Sequence, residues 1–147
     1  MKIVVVGLGY VGLSNAVLLA QYNEVVGVDI STDIILKLNA RKSKIIDPEL
    51  EEYLSKKDLR ISATKDLSSA LKDAKYAIIA TPTNYDEKSN NFDTSSVEMV
   101  INEIISKYPK VKIVIKSTIP VGFTEKMRKK FNSLNIMFSP EFLREGR

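Results

Sequence analysis

Residues 2–12 read Lys2-Ile-Val-Val-Val-Gly-Leu-Gly-Tyr-Val-Gly12. The continuous run of branched aliphatic residues that ends in glycine predicts a strand buried on both faces. The three glycines form a GxGxxG motif between this strand and a predicted helix over residues 10–22, the context that gives such a motif meaning. The stretch therefore indicates a dinucleotide-binding βα unit.

Each glycine of the motif has its own steric role. Gly7 allows a tight turn, Gly9 lacks a Cβ so that a pyrophosphate can approach the backbone, and Gly12 lets the helix pack closely on the strand. The N-terminus of the helix offers free N–H groups and the positive end of its dipole to phosphate. The alternative is a glycine-rich turn that binds no ligand.

An acidic residue, Asp29, ends the second predicted strand, roughly 20 residues beyond the glycines. A carboxylate at this place accepts hydrogen bonds from ribose hydroxyls and repels a 2′-phosphate, which favours NAD over NADP. The alternative roles for Asp29 are a solvated strand-end acid or the N-cap of the next helix. Lys37 and Arg41 lie near in sequence, and either would offset the repulsion of a 2′-phosphate.

The composition restricts the chemistry that this chain can perform. Its 147 residues suit one soluble globular domain, with 44% hydrophobic and 27% charged residues. It contains neither cysteine nor histidine, so thiol nucleophiles, zinc-thiolate sites and a histidine base are excluded. We expect no metal site, no membrane span and a cytoplasmic location. The net charge of +4 comes from scattered lysines, which argues against nucleic acid as a partner.

Apolar β-rich runs alternate with helical patterns along the whole chain. This rhythm predicts an α/β fold in which a doubly wound, parallel, six-stranded sheet carries helices on both faces. We expect one Rossmann-like domain over residues 1–147, with strands at residues 2–6, 24–29, 59–63, 76–80, 111–116 and 136–138.

Polar residues follow the later strands at the edge where ligands of parallel sheets gather. Thr83 belongs to a rigid loop after strand four that suits the side of a cofactor, or it belongs to a plain turn. Thr118 follows strand five and either contacts the nicotinamide end or caps the helix that Pro120 is predicted to begin. Lys116 has no assigned role.

The last segment, residues 139–147, brings charged and apolar side chains to the same edge. Glu141 and Glu145 share a face if this segment is helical. Phe142 and Leu143 are large apolar residues that a domain does not normally leave at a free end, so we expect them to pack on something beyond residue 147. The alternative is a frayed, charged terminus.

Five ordered blocks of residues, spread over the whole chain, resemble one family. They resemble UDP-glucose 6-dehydrogenases of the short bacterial type, within the UDP-glucose/GDP-mannose dehydrogenase family. The blocks are Gly7-Leu-Gly-Tyr-Val-Gly-Leu13, Ala80-Thr-Pro-Thr-Asn-Tyr-Asp86, Phe92-Asp-Thr-Ser-Ser-Val-Glu98, Ile115-Lys-Ser-Thr-Ile-Pro-Val-Gly122 and Ser139-Pro-Glu-Phe-Leu-Arg-Glu-Gly146.

The resemblance assigns a role to each matching residue. It implies that the pyrophosphate is held by Gly7, Gly9, Tyr10, Val11 and Gly12. Asp29 would bind the ribose, Thr83 and Thr118 would line the dinucleotide, and Thr118 would also lie near the catalytic water. Glu141 would assist proton transfer. The nucleotide sugar would be contacted by Glu141, Phe142, Leu143, Arg144 and Glu145, and Glu145 would also lie against the nicotinamide.

The resemblance also implies a longer enzyme than this chain. Family members oxidise the C6 alcohol of UDP-glucose to UDP-glucuronate with two NAD, through a thioester on a cysteine. We expect that cysteine to lie in a second, UDP-sugar-binding domain that follows a central helix and is absent here. The chain alone should bind NAD without turnover, and the full-length enzyme is expected to be a homodimer. GDP-mannose 6-dehydrogenase and a stand-alone NAD-sensing module are the alternatives.

Overall fold

The computed structural model describes residues 1–56, 58–87 and 91–141. The strands of this part are β1 (Lys2–Val6), β2 (Glu24–Val28), β3 (Ile61–Thr64), β4 (Tyr76–Ile79), β5 (Tyr85–Asp86), β6 (Asn91–Phe92), β7 (Lys112–Ile115) and β8 (Ile136–Phe138). The helices are α1 (Tyr10–Ala20), α2 (Thr32–Asn39), α3 (Pro48–Ser55), α4 (Leu67–Leu71), α5 (Ser95–Lys107) and α6 (Phe123–Phe131). In this described part, no helix combines the length and apolar character that crossing a membrane requires.

Six of the strands form one sheet in the order β3-β2-β1-β4-β7-β8, and every pairing in it is parallel. This arrangement confirms the predicted doubly wound fold. The direction of strand addition reverses between the neighbours β1 and β4, and such a switch point leaves a crevice outside the carboxyl ends of the strands. The glycine motif follows β1 and therefore lies at this crevice.

The alternating side chains of β1 enter two separate hydrophobic cores, one on each face of the sheet. Val4 and Val6 pack with residues of α4, α5 and α6, whereas Ile3 and Val5 pack with residues of α1, α2 and α3. Val4 and Val5 are completely buried. Burial of each such side chain stabilises the fold by roughly 1.5–3 kcal/mol. The branched run in β1 thus joins both layers and places the glycine motif on a rigid base.

The helix starts follow local capping chemistry. Ser31 caps α2 and Asp47 caps α3, with Pro48 in the first turn, as the sequence predicts. The fourth helix is predicted to begin at residue 64, but it begins at Leu67. The reason is that Asp66 accepts a hydrogen bond from the N–H of Ser69 and so fixes the N-terminus there.

The helix after β7 begins later than predicted. Residues 120–122 form a turn in which Phe123 N donates to Pro120 O at 3.1 Å. Gly122 is the N-cap of α6 with φ of 82°, a left-handed conformation that glycine adopts readily. The alternative role of Thr118 as the cap of this helix is therefore wrong, because Thr118 lies four residues before the cap.

The polar stretch over residues 81–93, predicted as a loop, contains an antiparallel pair of short strands. Strands β5 and β6 pair there, and the rings of Tyr85 and Phe92 meet edge to face with centroids 5.1 Å apart. Asn84 O accepts a hydrogen bond from Asp93 N at 2.8 Å, which extends the pairing beyond the two strands. An aromatic residue in each of the two strands is the sequence feature that favours this pairing.

Candidate dinucleotide-binding site

The N-terminus of α1 presents unpaired donors to the crevice. The first hydrogen bond of this helix runs from Leu13 N to Gly9 O at 2.9 Å. The N–H groups of Tyr10, Val11 and Gly12 precede it and take no part in the bonds within the helix. The first turn of α1 itself contains no acidic residue. This is the geometry of an anion site at a helix terminus.

The three motif glycines differ in what the fold requires of them. Gly7 has φ of 88°, and a Cβ on it would lie 2.6 Å from Ala80 O. A Cβ on Gly12 would lie 1.7 Å from Gly7 O. Around a Cβ on Gly9, by contrast, no heavy atom of the described residues, apart from Gly9 and its chain neighbours, lies within 4 Å. The fold excludes side chains at positions 7 and 12, whereas position 9 faces the space that a diphosphate would enter.

Asp29 connects the glycine loop to the start of α2. Its Oδ2 accepts from Leu8 N at 2.7 Å, and its Oδ1 accepts from Ser31 N at 2.8 Å. A carboxylate has about four acceptor positions, so each oxygen keeps a lone pair for a ribose hydroxyl. The structure therefore brings the predicted acid to the glycine loop and aligns it with two backbone amides. Ser31, and not Asp29, caps α2.

Leu8, a variable position of the motif, anchors the loop from below. Its side chain is 1% exposed, and a Cβ on Gly27 of β2 would lie 2.8 Å from its Cδ1. The loop is thus fixed through the backbone to Asp29 and through the side chain to β2. Sequence reasoning missed this contact, although a glycine within an otherwise branched strand signals a close neighbour.

The two cations considered for a 2′-phosphate are engaged elsewhere. The Arg41 guanidinium donates to Leu59 O at 2.7 Å and to Ile61 O at 3.0 Å, before and at the beginning of β3. Lys37 Nζ pairs with Asp33 at 3.1 Å on the exposed face of α2. Both cations thus have acceptors other than a group at Asp29, which favours a ribose with free hydroxyls over a 2′-phosphate at this place.

A surface cavity of about 590 Å³ lies at the opposite edge of the sheet. It surrounds the amino ends of β2 and β3, whereas Asp29 follows the carboxyl end of β2. Because ligands of this fold bind at the carboxyl ends, this cavity is separate from the dinucleotide site. Its lining residues are Glu24, Val25, Arg41, Asp58, Leu59, Arg60, Ile61 and Ser62.

The loops after β4 and β7 carry the two predicted threonines to the same edge. Thr83 is half-buried and Thr118 is exposed. Between them, Ser117 Oγ donates to Thr81 O at 2.7 Å, so the two loops are joined directly. On spacing alone the sequence left Ser117 without a role, because burial of a single serine has no periodic signature.

Glu141, predicted to assist proton transfer, pairs with the lysine that had no assigned role. Lys116 Nζ lies 3.1 Å from Glu141 Oε2 and 3.3 Å from Ser139 Oγ. The side chains of Lys116 and Glu141 are only 15% and 22% exposed. The ion pair holds the Glu141 carboxylate at the carboxyl ends of β7 and β8. The remaining predicted substrate residues, Phe142, Leu143, Arg144 and Glu145, lie outside the described residues.

A family model matches the sequence of this chain from end to end. The model for the NAD-binding domain of the UDP-glucose/GDP-mannose dehydrogenase family matches residues 1–147. The chain belongs to this family. It is an NAD-binding domain, and both the resemblance drawn from the five sequence blocks and the predicted cofactor are confirmed.

Relatives from this dehydrogenase family match over the whole domain. UDP-glucose 6-dehydrogenase of Streptococcus pneumoniae is 53% identical over 147 residues, which are all of this chain and 37% of the relative. UDP-glucose 6-dehydrogenase of Campylobacter jejuni is 47% identical over 148 residues, covering 99% of this chain and 38% of the relative. The chain therefore spans a little over a third of the length of these relatives.

Solved structures of family members share the fold. A UDP-D-ManNAc dehydrogenase from Pyrococcus horikoshii superposes with a TM-score of 0.86 at 31% identity, over 100% of this chain and 38% of that one. A ternary complex of GDP-mannose dehydrogenase from Pseudomonas aeruginosa gives 0.83 at 30% identity, over 99% and 37% of the two chains. Each likeness covers a little over a third of a longer dehydrogenase chain.

Proposed function

We propose that this chain is the NAD-binding part of a UDP-glucose 6-dehydrogenase. The observation that carries the proposal is the arrangement of backbone amides and a carboxylate at the N-terminus of α1. Free amide N–H groups lie beside Gly9, a position at which the fold itself has room for a Cβ. The Asp29 carboxylate lies next to them. The amides fit a diphosphate and the carboxylate fits a ribose with free hydroxyls. The 53% identity to the Streptococcus pneumoniae enzyme supports the substrate assignment.

In this proposal the chain binds and orients, and it performs little chemistry itself. A bound NAD would supply the hydride-acceptor chemistry for oxidation at the C6 carbon of the sugar. The amides of Tyr10, Val11 and Gly12 would hold the diphosphate, and Asp29 would hold the adenosine ribose. Thr83 and Thr118 would line the nicotinamide half of the cofactor.

Glu141 assists proton transfer beside that half of the cofactor. Its carboxylate is fixed by Lys116, and a fixed base needs no reorientation when the proton moves. Contacts of Phe142, Leu143, Arg144 and Glu145 with the nucleotide sugar remain a prediction from the resemblance.

The isolated chain should bind NAD and complete no oxidation of UDP-glucose. A thioester needs a thiolate nucleophile, and the sequence contains no cysteine. The full reaction would then depend on a cysteine supplied outside these 147 residues.

UDP-glucose is favoured over GDP-mannose by sequence identity. The GDP-mannose 6-dehydrogenase of Pseudomonas aeruginosa is 32% identical over 165 residues, against 53% for the streptococcal UDP-glucose enzyme. The stand-alone NAD-sensing module remains a hypothesis, which the reading frame of the native protein would decide. A cysteine-bearing second domain in that frame would favour the enzyme.

Calorimetric titration of the chain with NAD and with NADP tests the cofactor assignment. We expect NAD to bind and NADP to bind at least tenfold more weakly, a difference of about 1.4 kcal/mol. Equal binding, or a preference for NADP, would refute the argument from Asp29.

Formation of NADH tests the substrate assignment. The native full-length protein and the 147-residue chain are each assayed with UDP-glucose and with GDP-mannose. The proposal expects turnover of UDP-glucose by the full-length protein alone. Steady turnover by the short chain, or a preference for GDP-mannose, contradicts it.

A further inference from the structure

A buried serine joins the two loops on the nicotinamide side of the site. Of the polar and charged residues that the structure describes, only Ser117 is buried, at 7% exposure. Its Oγ donates to Thr81 O at 2.7 Å, and its backbone N–H donates to Ile79 O at 3.2 Å. Ser117 thus fixes the exit from β4 and, as the residue before Thr118, the exit from β7.

A second serine holds the same short segment from another direction. Ser96, in the first turn of α5, has its Oγ 3.0 Å from Thr81 Oγ1 and 3.0 Å from Pro82 O. Ser117 and Ser96 come from different elements, yet both bind the dipeptide that precedes Thr83. This segment cannot hold itself by regular pairing, because it lies beyond the end of β4 and Pro82 has no N–H.

The held segment lies on one half of the cofactor path only. Asp29, at the end of β2, marks the adenosine side, and the amides of α1 mark the diphosphate. A dinucleotide that crosses the switch point continues over β4 and β7, which places its nicotinamide half beside residues 81–83 and 117–118. The adenosine half would lie on the Asp29 side of the switch point, away from the segment that the serines hold.

We propose that Ser117 and Ser96 are positioning residues, which hold Thr83 and Thr118 against the nicotinamide half of NAD. This inference rests on the proposed function, since it requires that NAD binds in this crevice. A purely structural role for the two hydroxyls would affect every ligand of the crevice equally. If the hydroxyls have a positioning role, their loss weakens the binding only of ligands that carry a nicotinamide.

The experiment compares NAD with ADP-ribose, which lacks the nicotinamide, by calorimetric titration of the chain. The variants are Ser117→Ala, Ser96→Ala and Ser96→Thr, the last of which keeps the hydroxyl. Ser106→Ala is the matched control, because Ser106 is exposed on the same helix as Ser96. Thermal melting of each variant identifies those that are folded at the titration temperature.

We expect both alanine variants to raise the Kd of NAD about fivefold, the effect of one lost hydrogen bond, and that of ADP-ribose less than about twofold. Ser96→Thr and Ser106→Ala should keep wild-type values for both ligands. If Ser117→Ala does not fold, Ser96→Ala decides the matter, because Ser96 is only half-buried and its replacement leaves no sealed cavity.

Three outcomes would overturn the inference. An equal change for NAD and ADP-ribose would assign a structural role to the serines, and no change for either would assign no role. Weakened NAD binding in Ser96→Thr would show that the size of the side chain at position 96, and not its hydroxyl, determines NAD binding. A wild-type chain that binds neither ligand would refute the proposed function itself, which separates that failure from the failure of this inference.

Discussion

Replacement of Gly9 by alanine separates the requirements of the fold from those of the ligand. Gly9 has φ of −69° and ψ of −165°, which an L-residue adopts without strain, and no described heavy atom would touch the new methyl group. Alanine is a poorer N-cap than glycine by about 0.5–1 kcal/mol, but it lowers the entropy of the unfolded chain by a similar amount. We therefore expect the free energy of unfolding to change by less than about 0.5 kcal/mol.

The same methyl group should weaken NAD binding strongly. It lies where the diphosphate approaches the amides of Tyr10, Val11 and Gly12. A hydrogen bond to a charged group is worth roughly 1.5–3 kcal/mol, so loss of one such bond raises Kd about ten- to a hundredfold. Calorimetric titration with NAD measures Kd, and denaturant unfolding of the same sample measures stability.

Gly12→Ala is the matched control for this prediction. Its Cβ would lie 1.7 Å from Gly7 O, which is backbone and cannot move aside alone. We expect this variant to lose more than about 3 kcal/mol of stability. The reasoning is refuted if Gly9→Ala binds NAD as tightly as the wild type, or if it is destabilised as much as Gly12→Ala.

Three further predictions concern charged groups. Asp29→Asn has one amide end that cannot accept a hydrogen bond, so titration should show weaker NAD binding and less discrimination against NADP; an unchanged preference contradicts this. The hydrogen bond from Lys130 lowers the pKa of Glu98 below its ordinary value of 4.5. Its stabilisation is therefore present above that value and lost as pH falls through the lowered pKa. Denaturant unfolding should show the stability gap between wild type and Glu98→Gln shrinking from about pH 6 to about pH 3, and a constant gap would contradict it. A double-mutant cycle of Lys116→Met and Glu141→Gln should give a coupling of about 1–2 kcal/mol in unfolding experiments, and zero coupling would show that the pair is not formed in solution.

The sheet could be predicted because its strands have a local signature. A branched run such as that of β1 is buried on both faces, and glycine at position 7 marks where it ends. The doubly wound arrangement then followed from the alternation of strands and helices, since parallel crossovers leave few topologies.

The places where prediction failed depend on contacts between distant residues. The start of α6 was misplaced because the left-handed conformation of Gly122 sets the N-cap there, two residues after the proline that usually marks a helix start. The φ of a glycine cannot be predicted from the residues next to it. Strands β5 and β6 were missed because a two-residue pair is too short for a periodic pattern.

The parts of the candidate site that depend on the backbone of one short segment could be predicted. The parts that depend on contacts between side chains from distant segments could not. The glycines and Asp29 have fixed spacing, so the sequence identified them. The pairing of Lys116 with Glu141 and the burial of Ser117 arise from strands β7 and β8 and the loop after β4 coming together. Such contacts have no spacing rule, because the residues are separated by 25 and 36 positions from their partners.

A crystal structure of the chain grown with NAD tests the central claim most directly. The account predicts electron density for a diphosphate at the amides that begin α1, with ribose hydroxyls on the Asp29 carboxylate and the nicotinamide half beside residues 81–83. Density for the cofactor at another place, or a crevice that stays empty at saturating NAD, would contradict it.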